Sequence, residues 1–293
     1  MILIDGKKIA AGIRREIKKE VAEMLDRDVP APHLAAVLVG DDPASRTYVN
    51  NKEKACREVG MISSVYEHPS TVSEKELLEV IGFLNHDPEI DGFIVQLPLP
   101  GHIDAAKVIR HIDPAKDVDG FHPVNTGRMV QGMPAYLPAT PYGILQLLDK
   151  SGIETEGRHC VVAGRSNIVG TPLSILLSRK TSPGNCTVTL CHSRTSDLKK
   201  HTSRADILIA AIGKPRFFTP DMVKNNAVVI DVGVHRVESE TSKTGFKLVG
   251  DVMFDEVSKK CSYITPVPGG VGPMTIVSLL LNTLKASRKE IYS

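Results

Sequence analysis

The sequence predicts an α/β protein of two domains, each a mainly parallel sheet with helical crossovers. Apolar, β-branched runs alternate with amphipathic helical patterns along the 293 residues, the signature of strand–helix–strand units joined by right-handed crossovers. A proline-rich passage, Met133-Pro134 to Thr140-Pro141, interrupts this alternation and reads as an interdomain crossing. Beyond it, residues 160–172 (CVVAGRSNIVGTP) read as strand, tight turn and helix. In that arrangement a helix N-terminus offers a phosphate free N–H groups and a positive dipole end.

Taken in order, Ile9, Ile13, Ile17, Val21 and Leu25 recur every four residues and predict an amphipathic helix with Arg14, Arg15, Lys18 and Lys19 outside. Residues 33–39 (HLAAVLV) form a buried strand closed by Gly40-Asp41-Asp42-Pro43. A helix over about 44–59 stops at Gly60, which suits a C′ position. Residues 63–68 predict a second strand, and Thr71-Val72-Ser73-Glu74 opens a helix through Leu77, Leu78, Ile81 and Leu84. A third strand over 91–96 ends at Leu97-Pro98-Leu99-Pro100, where proline cannot continue a ladder. A short helix near 105–109 precedes an irregular stretch over 113–123. After the crossing come a helix over 144–148 and strands at 161–163, within 187–195, at 206–211 and at 227–231. A mobile hairpin over 238–247 and a closing apolar helix over 276–284 complete the chain. No internal repeat or low-complexity tract is visible.

The composition is 42% hydrophobic and 24% charged, an ordinary globular balance, and the net charge of +2 shows no concentrated basic patch for nucleic acid. Five scattered cysteines (56, 160, 186, 191 and 261), without a C-x-x-C, indicate neither a disulfide framework nor a zinc site. No metal cluster is expected. The first residues have no signal character, and no apolar run approaches a membrane span. A soluble, cytoplasmic protein in a reducing compartment is expected, with no nucleic-acid or membrane partner.

Gly164-x-Ser166-x-x-x-Gly170 departs from the dinucleotide fingerprint, since Ser166 stands where G-x-G-x-x-G has its second glycine. Alone, it fits an ordinary βα turn as well as a cofactor turn. The next strand adds a second signal. An NAD site carries an acidic residue at that strand's end, whereas arginine there suits a 2′-phosphate. Here the end reads His192-Ser193-Arg194, with no carboxylate before Asp197. With Arg165 this makes a cationic, hydroxyl-rich rim, and NADP is predicted over the alternative of a solvated basic loop. The strand ends Gly213-Lys214-Pro215 and Gly233-Val234 should face the cofactor.

On the helix after Pro43, Tyr48, Lys52, Cys56 and Val59 share one apparently inward stripe. Lys52 either runs its stem along that stripe to water or is partly buried, which would lower its pKa and supply a proton carrier. Gln96, at a strand's carboxyl end, is placed to bind the amine, or is an ordinary cap. Asp117 and Asp119 resemble a carboxylate pair, but a two-residue step in a loop points them apart, and Asx-turn duty accounts for both. The stretch 264–274 (ITPVPGGVGPM) either lets backbone approach a ligand closely or is a linker.

Five segments, YVNNKEKA (48–55), DGFIVQLPLP (91–100), KDVDGFHP (116–123), GRSNIVG (164–170) and TPVPGGVGPMT (265–275), resemble the bifunctional methylenetetrahydrofolate dehydrogenase/cyclohydrolase family in order over essentially the whole chain. The resemblance implies two α/β domains about a cleft. A folate-binding catalytic domain spans 1–138 and 274–293, so that the final helix returns to it, and a Rossmann-like NADP-binding domain spans 139–273. It implies NADP-dependent oxidation of 5,10-methylenetetrahydrofolate, hydrolysis of the methenyl product to 10-formyltetrahydrofolate, a homodimer through the nucleotide domains and a link to purine biosynthesis. Lys52 matches the catalytic lysine, Tyr48 its orienting and stacking neighbour, Gln96 the amide that holds it and Asp119 the pterin-binding carboxylate. Val95, Gln96 and Leu97, with Pro268, Gly269, Gly270, Val271 and Gly272, match substrate-lining positions. Gly164, Arg165, Ser166, Ser193 and Val234 match cofactor contacts. Residues 179–184 look like an insertion, and His235 stands where the family often has asparagine. The rivals are a dehydrogenase without hydrolase activity, against which Lys52 and Gln96 argue, and a non-catalytic folate- or nucleotide-binding protein.

Overall fold

The computed structural model describes residues 1–240, 242 and 245–292. In chain order the elements are β1 (Ile2–Leu3), α1 (Gly6–Leu25), β2 (His33–Val39), α2 (Pro43–Val59), β3 (Ile62–His68), α3 (Glu74–His86) and β4 (Gly92–Val95). Then follow α4 (Ala105–His111), α5 (Pro123–Val130), α6 (Ala139–Lys150), β5 (His159–Ala163), α7 (Gly170–Ser178) and β6 (Thr187–Cys191). The chain closes with α8 (Leu198–Thr202), β7 (Ile207–Ala210), β8 (Val228–Asp231), β9 (His235–Glu238), β10 (Phe246–Val249), α9 (Phe254–Val257), β11 (Tyr263–Ile264) and α10 (Val271–Ser287). Two compact units result: Ala11–Ala139 with Ile276–Ser293, and Met1–Ala10 with Thr140–Thr275.

The first unit holds a parallel sheet in the order β3-β2-β4. β2 takes the centre because it has no polar side chain after His33, and its other six residues are buried. Ala35, Val37 and Val39 pack with Leu77, Ile81 and Leu84 of α3 and with Phe93 and Val95 of β4. Local chemistry sets the helix limits. Asp42 caps α2 by accepting the Ser45 N–H at 2.7 Å, Gly60 closes it at a left-handed φ of 84°, and Ser73 and Glu76 form a capping box on α3. α10 is tied to this unit by Asn282, whose buried amide donates to the carbonyls of Val118 and Leu137 at 2.8 and 2.9 Å. On α1 the apolar stripe ends at buried Met24, and Leu25 is half exposed. A four-residue step drifts about 40° each time on a 3.6-residue helix, so the fourth step has left the buried face.

The second unit holds a parallel sheet in the order β1-β11-β8-β7-β5-β6. Val161, Ala163, Leu208, Ala210, Val229 and Ile264 meet Phe218 in its core. Residues 1–10 group with this unit, whereas the expected first domain starts at residue 1. β1 pairs with β11, Ile2 opposite Tyr263 and Leu3 opposite Ile264. Gly6 packs so closely on Gly270 that a Cβ would stand 1.9 Å from the Gly270 carbonyl oxygen. The expected hairpin is the antiparallel pair β9–β10, and Thr241, Lys243 and Thr244 of that stretch lie outside the described residues. Among the described residues no helix is long and apolar enough to cross a membrane.

Candidate active site

In the first unit, α2 and the end of β4 bring Lys52 and Gln96 together. Lys52 Nζ donates to Gln96 Oε1 at 3.1 Å. The amide is held that way round because Gln96 Nε2 donates to the Leu97 carbonyl at 2.6 Å. The Gln96 main chain is fixed in turn by its N–H bond to the Val37 carbonyl at 2.9 Å, a rung continuing the β2–β4 ladder. Burial pushes the Lys52 ammonium below its ordinary pKa, while the charges of Asp119 and Cys56 pull it back up. Burial likewise pushes Asp119 above the usual carboxylate range, opposed by Lys52. Amine and carboxylate therefore act on each other in a desolvated setting, where a lysine gives up its proton more readily than in water.

Tyr48, one turn before Lys52, is 47% exposed. The buried face of α2 is Ser45, Val49, Ala55, Cys56 and Val59, so the expected inward stripe is corrected to the border of that face, with only Cys56 and Val59 fully inside. The border position lets Lys52 bury its stem and still present its amine. The two aspartates divide. Asp117 is buried and accepts the N–H groups of Phe121 at 3.2 Å and His122 at 2.7 Å and the Asn125 amide at 2.9 Å. It holds the 117–122 turn. Asp119 makes no hydrogen bond among the described residues, so turn duty explains the first carboxylate and not the second. Val95 is buried in β4 and Leu97 partly exposed just beyond it.

Pro268 to Gly272 lie at the start of α10 and just before it, Pro268–Val271 and Gly272 falling in the second unit. Chain packing accounts for two of their glycines. Gly269, at φ 108°, accepts the Lys7 N–H at 3.0 Å, and Gly270 meets Gly6. Gly272 differs, since nothing lies within 4 Å of where its Cβ would stand.

The strand–turn–helix of the second unit borders a cavity of about 480 Å³. Gly164, Arg165 and Ser166 line it after β5, His192, Ser193 and Thr195 after β6, and Ile212, Lys214 and Phe217 after β7. All are carboxyl ends of parallel strands, where open α/β sheets take ligands. Gly164 and Gly170 are required by packing, because a Cβ would lie 2.0 Å from the Ala211 oxygen at the first and 1.9 Å from the Gly164 oxygen at the second. Serine is accommodated at 166, where its Oγ accepts the Val169 N–H at 3.1 Å. The helix end offers fewer amides than the sequence suggests. Thr171 N donates to the Ser166 carbonyl at 3.0 Å and Pro172 has no N–H, so Gly170 keeps the remaining donor of the first three. Anion binding therefore falls to Arg165, Lys214 and the hydroxyls. With two cations, several hydroxyls and no carboxylate among its lining residues, the cavity fits a dinucleotide bearing a 2′-phosphate.

Arg194 and Val234 do not line this cavity. The Arg194 N–H is spent on His192 Nδ1 at 3.1 Å, and Val234 is exposed beyond β8. His192 and Lys214 belong to strand ends that the sequence directed at the cofactor, whereas Thr195 and Phe217 were not singled out. None of residues 179–184 lines the cavity either. A larger cavity, about 750 Å³, is bordered by His159, Lys200, Arg204 and Lys224. It lies at the amino ends of β5 and β7, the wrong end of the sheet for a ligand of this fold. Among the described residues no His/Cys/Asp/Glu group is placed to hold a metal ion.

Comparison with known proteins identifies both units, although the matched segments are continuous in sequence and so do not follow the exchange of the chain's two ends between the units. Residues 4–119 match the family model for the tetrahydrofolate dehydrogenase/cyclohydrolase catalytic domain, and residues 138–291 that for its NAD(P)-binding domain. The chain is 60% identical to the bifunctional protein FolD of Cytophaga hutchinsonii over 98% of its own length and 99% of the other. It superposes on the FolD dehydrogenase/cyclohydrolase crystal structure from Campylobacter jejuni with a TM-score of 0.92, at 46% identity and 99% coverage of both chains. The Trypanosoma brucei FolD structure, complexed with NADP and an inhibitor, gives 0.93 at 36% identity, covering 100% of this chain and 99% of that one.

Proposed function

The chain belongs to the tetrahydrofolate dehydrogenase/cyclohydrolase family, and on that premise we propose that Lys52, Gln96, Tyr48 and Asp119 carry its folate chemistry. The enzyme oxidises 5,10-methylenetetrahydrofolate with NADP and hydrolyses the resulting methenyl compound to 10-formyltetrahydrofolate. NADP, when bound, accepts the hydride. Arg165, Ser166 and Ser193 would hold it by charge-assisted and hydroxyl hydrogen bonds, with Gly164 giving close backbone approach; Val234, outside the cavity lining, is a contact on the family resemblance alone. Oxidation then needs alignment more than proton transfer, since the lone pair of the bridge nitrogen supports the cation as hydride leaves.

Hydrolysis needs a proton taken from the attacking water and one delivered to the departing ring nitrogen. The observation that carries our reading is the Lys52–Gln96 hydrogen bond, made by an amine whose pKa is depressed by burial. Gln96 aims the amine, and neutral Lys52 accepts the water's proton. Tyr48 supplies an aromatic face one turn away. Asp119, free of local hydrogen bonds, takes the adjacent N–H donors of a 2-amino-4-oxo pterin. Val95 and Leu97, on either side of Gln96, line the folate in this unit, and Pro268 to Gly272 carry the substrate-lining motif of the family resemblance. The first unit is thus the folate-binding, catalytic one and the second binds NADP. The family resemblance also supports a cytoplasmic homodimer whose product serves purine biosynthesis, which size-exclusion chromatography with light scattering tests for the dimer.

Asp119→Asn tests the site directly. Both activities should fall together, with NADP+ binding intact, because the amide turns a donor toward the pterin's donors. Removing the carboxylate also removes a charge that raises the Lys52 pKa, so residual hydrolysis should keep its rate to lower pH. Normal folate affinity in this variant would exclude Asp119 from the pocket.

A further inference from the structure

The wall of the cofactor cavity after β7 is held by one carboxylate that is not itself in the cavity. The ladder between β5 and β7 runs on through the Ala211 N–H, which donates to the Ala163 carbonyl at 2.8 Å. The next three residues, Ile212, Gly213 and Lys214, turn their N–H groups onto Asp251. Its Oδ2 accepts from Ile212 and Gly213 at 2.7 and 3.0 Å. Its Oδ1 accepts from Lys214 at 2.9 Å and from His235 Nε2 at 2.7 Å. Asp251 is fully buried, where a carboxylate is costly unless its oxygens are satisfied.

A second buried carboxylate fixes the first. Asp231, at the end of β8, accepts the N–H groups of Asp251 at 2.8 Å and Val252 at 3.0 Å. The fit leaves no room for added atoms. A Cβ at Gly233 would stand 2.3 Å from Asp251 Oδ1, and one at Gly250 1.8 Å from Asp231 Oδ2. Two loops at the ligand-facing end of the sheet, one after β7 and one after β8, are therefore gathered onto a single side chain. One of them carries Ile212 and the Lys214 cation into the cavity wall.

We infer that Asp251 is a positioning residue for the cofactor, holding the main chain of Ile212, Gly213 and Lys214 in the conformation that NADP meets, with His235 as its outer brace. The inference rests on the reading of this cavity as the NADP site. It extends that reading to residues that line no part of the cavity.

Isothermal titration of NADP+ into the unmutated enzyme, Asp251→Asn and His235→Ala tests it. Asn keeps the size of Asp but turns a donor toward main-chain donors. Displacing the wall should weaken NADP+ binding roughly tenfold to a hundredfold. His235→Ala leaves the three main-chain bonds and should weaken it by about threefold. In kinetics the loss should appear in the KM for NADP+, while methenyl hydrolysis, which uses no nicotinamide, stays within about twofold. If Asp251→Asn does not fold, His235→Ala decides alone. Unchanged NADP+ affinity in the folded variants, or equal losses in both reactions, overturns the inference and leaves the cavity assignment standing. Failure of the unmutated enzyme to bind NADP+ removes the assignment itself.

Discussion

The strand triplets β3-β2-β4 and β6-β5-β7 are built alike at one end and differently at the other. Each central strand opens with a histidine, His33 or His159, whose main-chain N–H donates to an aspartate just before the third strand, Asp91 at 2.8 Å or Asp206 at 2.9 Å. Each ring reaches a hydroxyl on the second strand, Ser64 at 2.8 Å or Thr189 at 2.9 Å. In both triplets that hydroxyl residue pairs with the position two beyond the histidine. A carbonyl two residues before the aspartate, Glu89 or Arg204, meets the other ring nitrogen. A carbonyl only accepts, so Nδ1 carries a proton in each ring. At the carboxyl ends the likeness stops. After β2, Asp42 caps α2 and places a negative charge where a phosphate would bind, and function passes to the Lys52 and Gln96 side chains. After β5, α7 has no side-chain cap, and glycine turns with a cationic rim take over. On the proposed reading, the same scaffold serves a proton-transfer site in one unit and a cofactor site in the other.

The contrast is broken most severely at Lys52. If one side chain carries the proton work, as we propose for Lys52, Lys52→Met should slow methenyl hydrolysis by roughly 10²–10⁴ while measurable dehydrogenase activity remains and methenyl product accumulates. In the unmutated enzyme hydrolysis should rise through an apparent pKa below the ~10.4 of free lysine, and be lost as pH falls and the amine takes up its proton. Hydrolysis at the unmutated rate in the variant removes Lys52 from the mechanism, and equal losses in both reactions reduce it to a positional role.

A graded response is expected at the other carboxyl end, where several groups share the cofactor. Arg165→Ala or Ser193→Ala should each cost about 1.5–3 kcal/mol, roughly a ten- to hundredfold loss of NADP+ affinity. The loss should be much smaller for NAD+, which lacks the 2′-phosphate. Equal use of NAD+ and NADP+ by the unmutated enzyme defeats the claim.

The contrast also explains what could be read in advance. Strands such as HLAAVLV and helices with caps at Ser73 or a C′ glycine at Gly60 carry their own signals and were legible. β1 and β11, two residues each, are too short for any periodicity, so the home of residues 1–10 was not. α5 is opened by the His122 ring accepting the Val124 N–H at 3.1 Å, a cap outside the usual Ser, Thr, Asp and Asn set. Lys52 was legible as an anomaly, an amine on an apolar stripe, and Gln96 as a polar group ending a buried strand. Asp251 was not, because its partners are main-chain groups some 37–39 residues away in sequence. The likeness of the two triplets is compatible with a sequence that shows no internal repeat. It is a repeat of hydrogen-bond geometry carried by different residues, Ser64 against Thr189 and Glu89 against Arg204, which no sequence period reveals.

The smallest effects are expected at the shared amino ends, and they test whether the likeness there is structural alone. His33→Ala and His159→Ala each remove ring bonds to a hydroxyl and a carbonyl that are partly open to water. Such bonds contribute about 0.5–1.5 kcal/mol, so each variant should unfold at modestly lower urea while its main-chain bond to aspartate persists. Neither should change NADP+ affinity or either activity, since both rings lie at the opposite strand ends from Lys52 and Gly164. His159→Ala is the more informative, because His159 also borders the larger cavity with Lys200, Arg204 and Lys224. Weaker NADP+ binding in that variant would move the cofactor, or part of it, to the amino end. Unchanged binding with a small stability loss from each histidine would establish the clamp as common scaffolding on which the two carboxyl ends diverged.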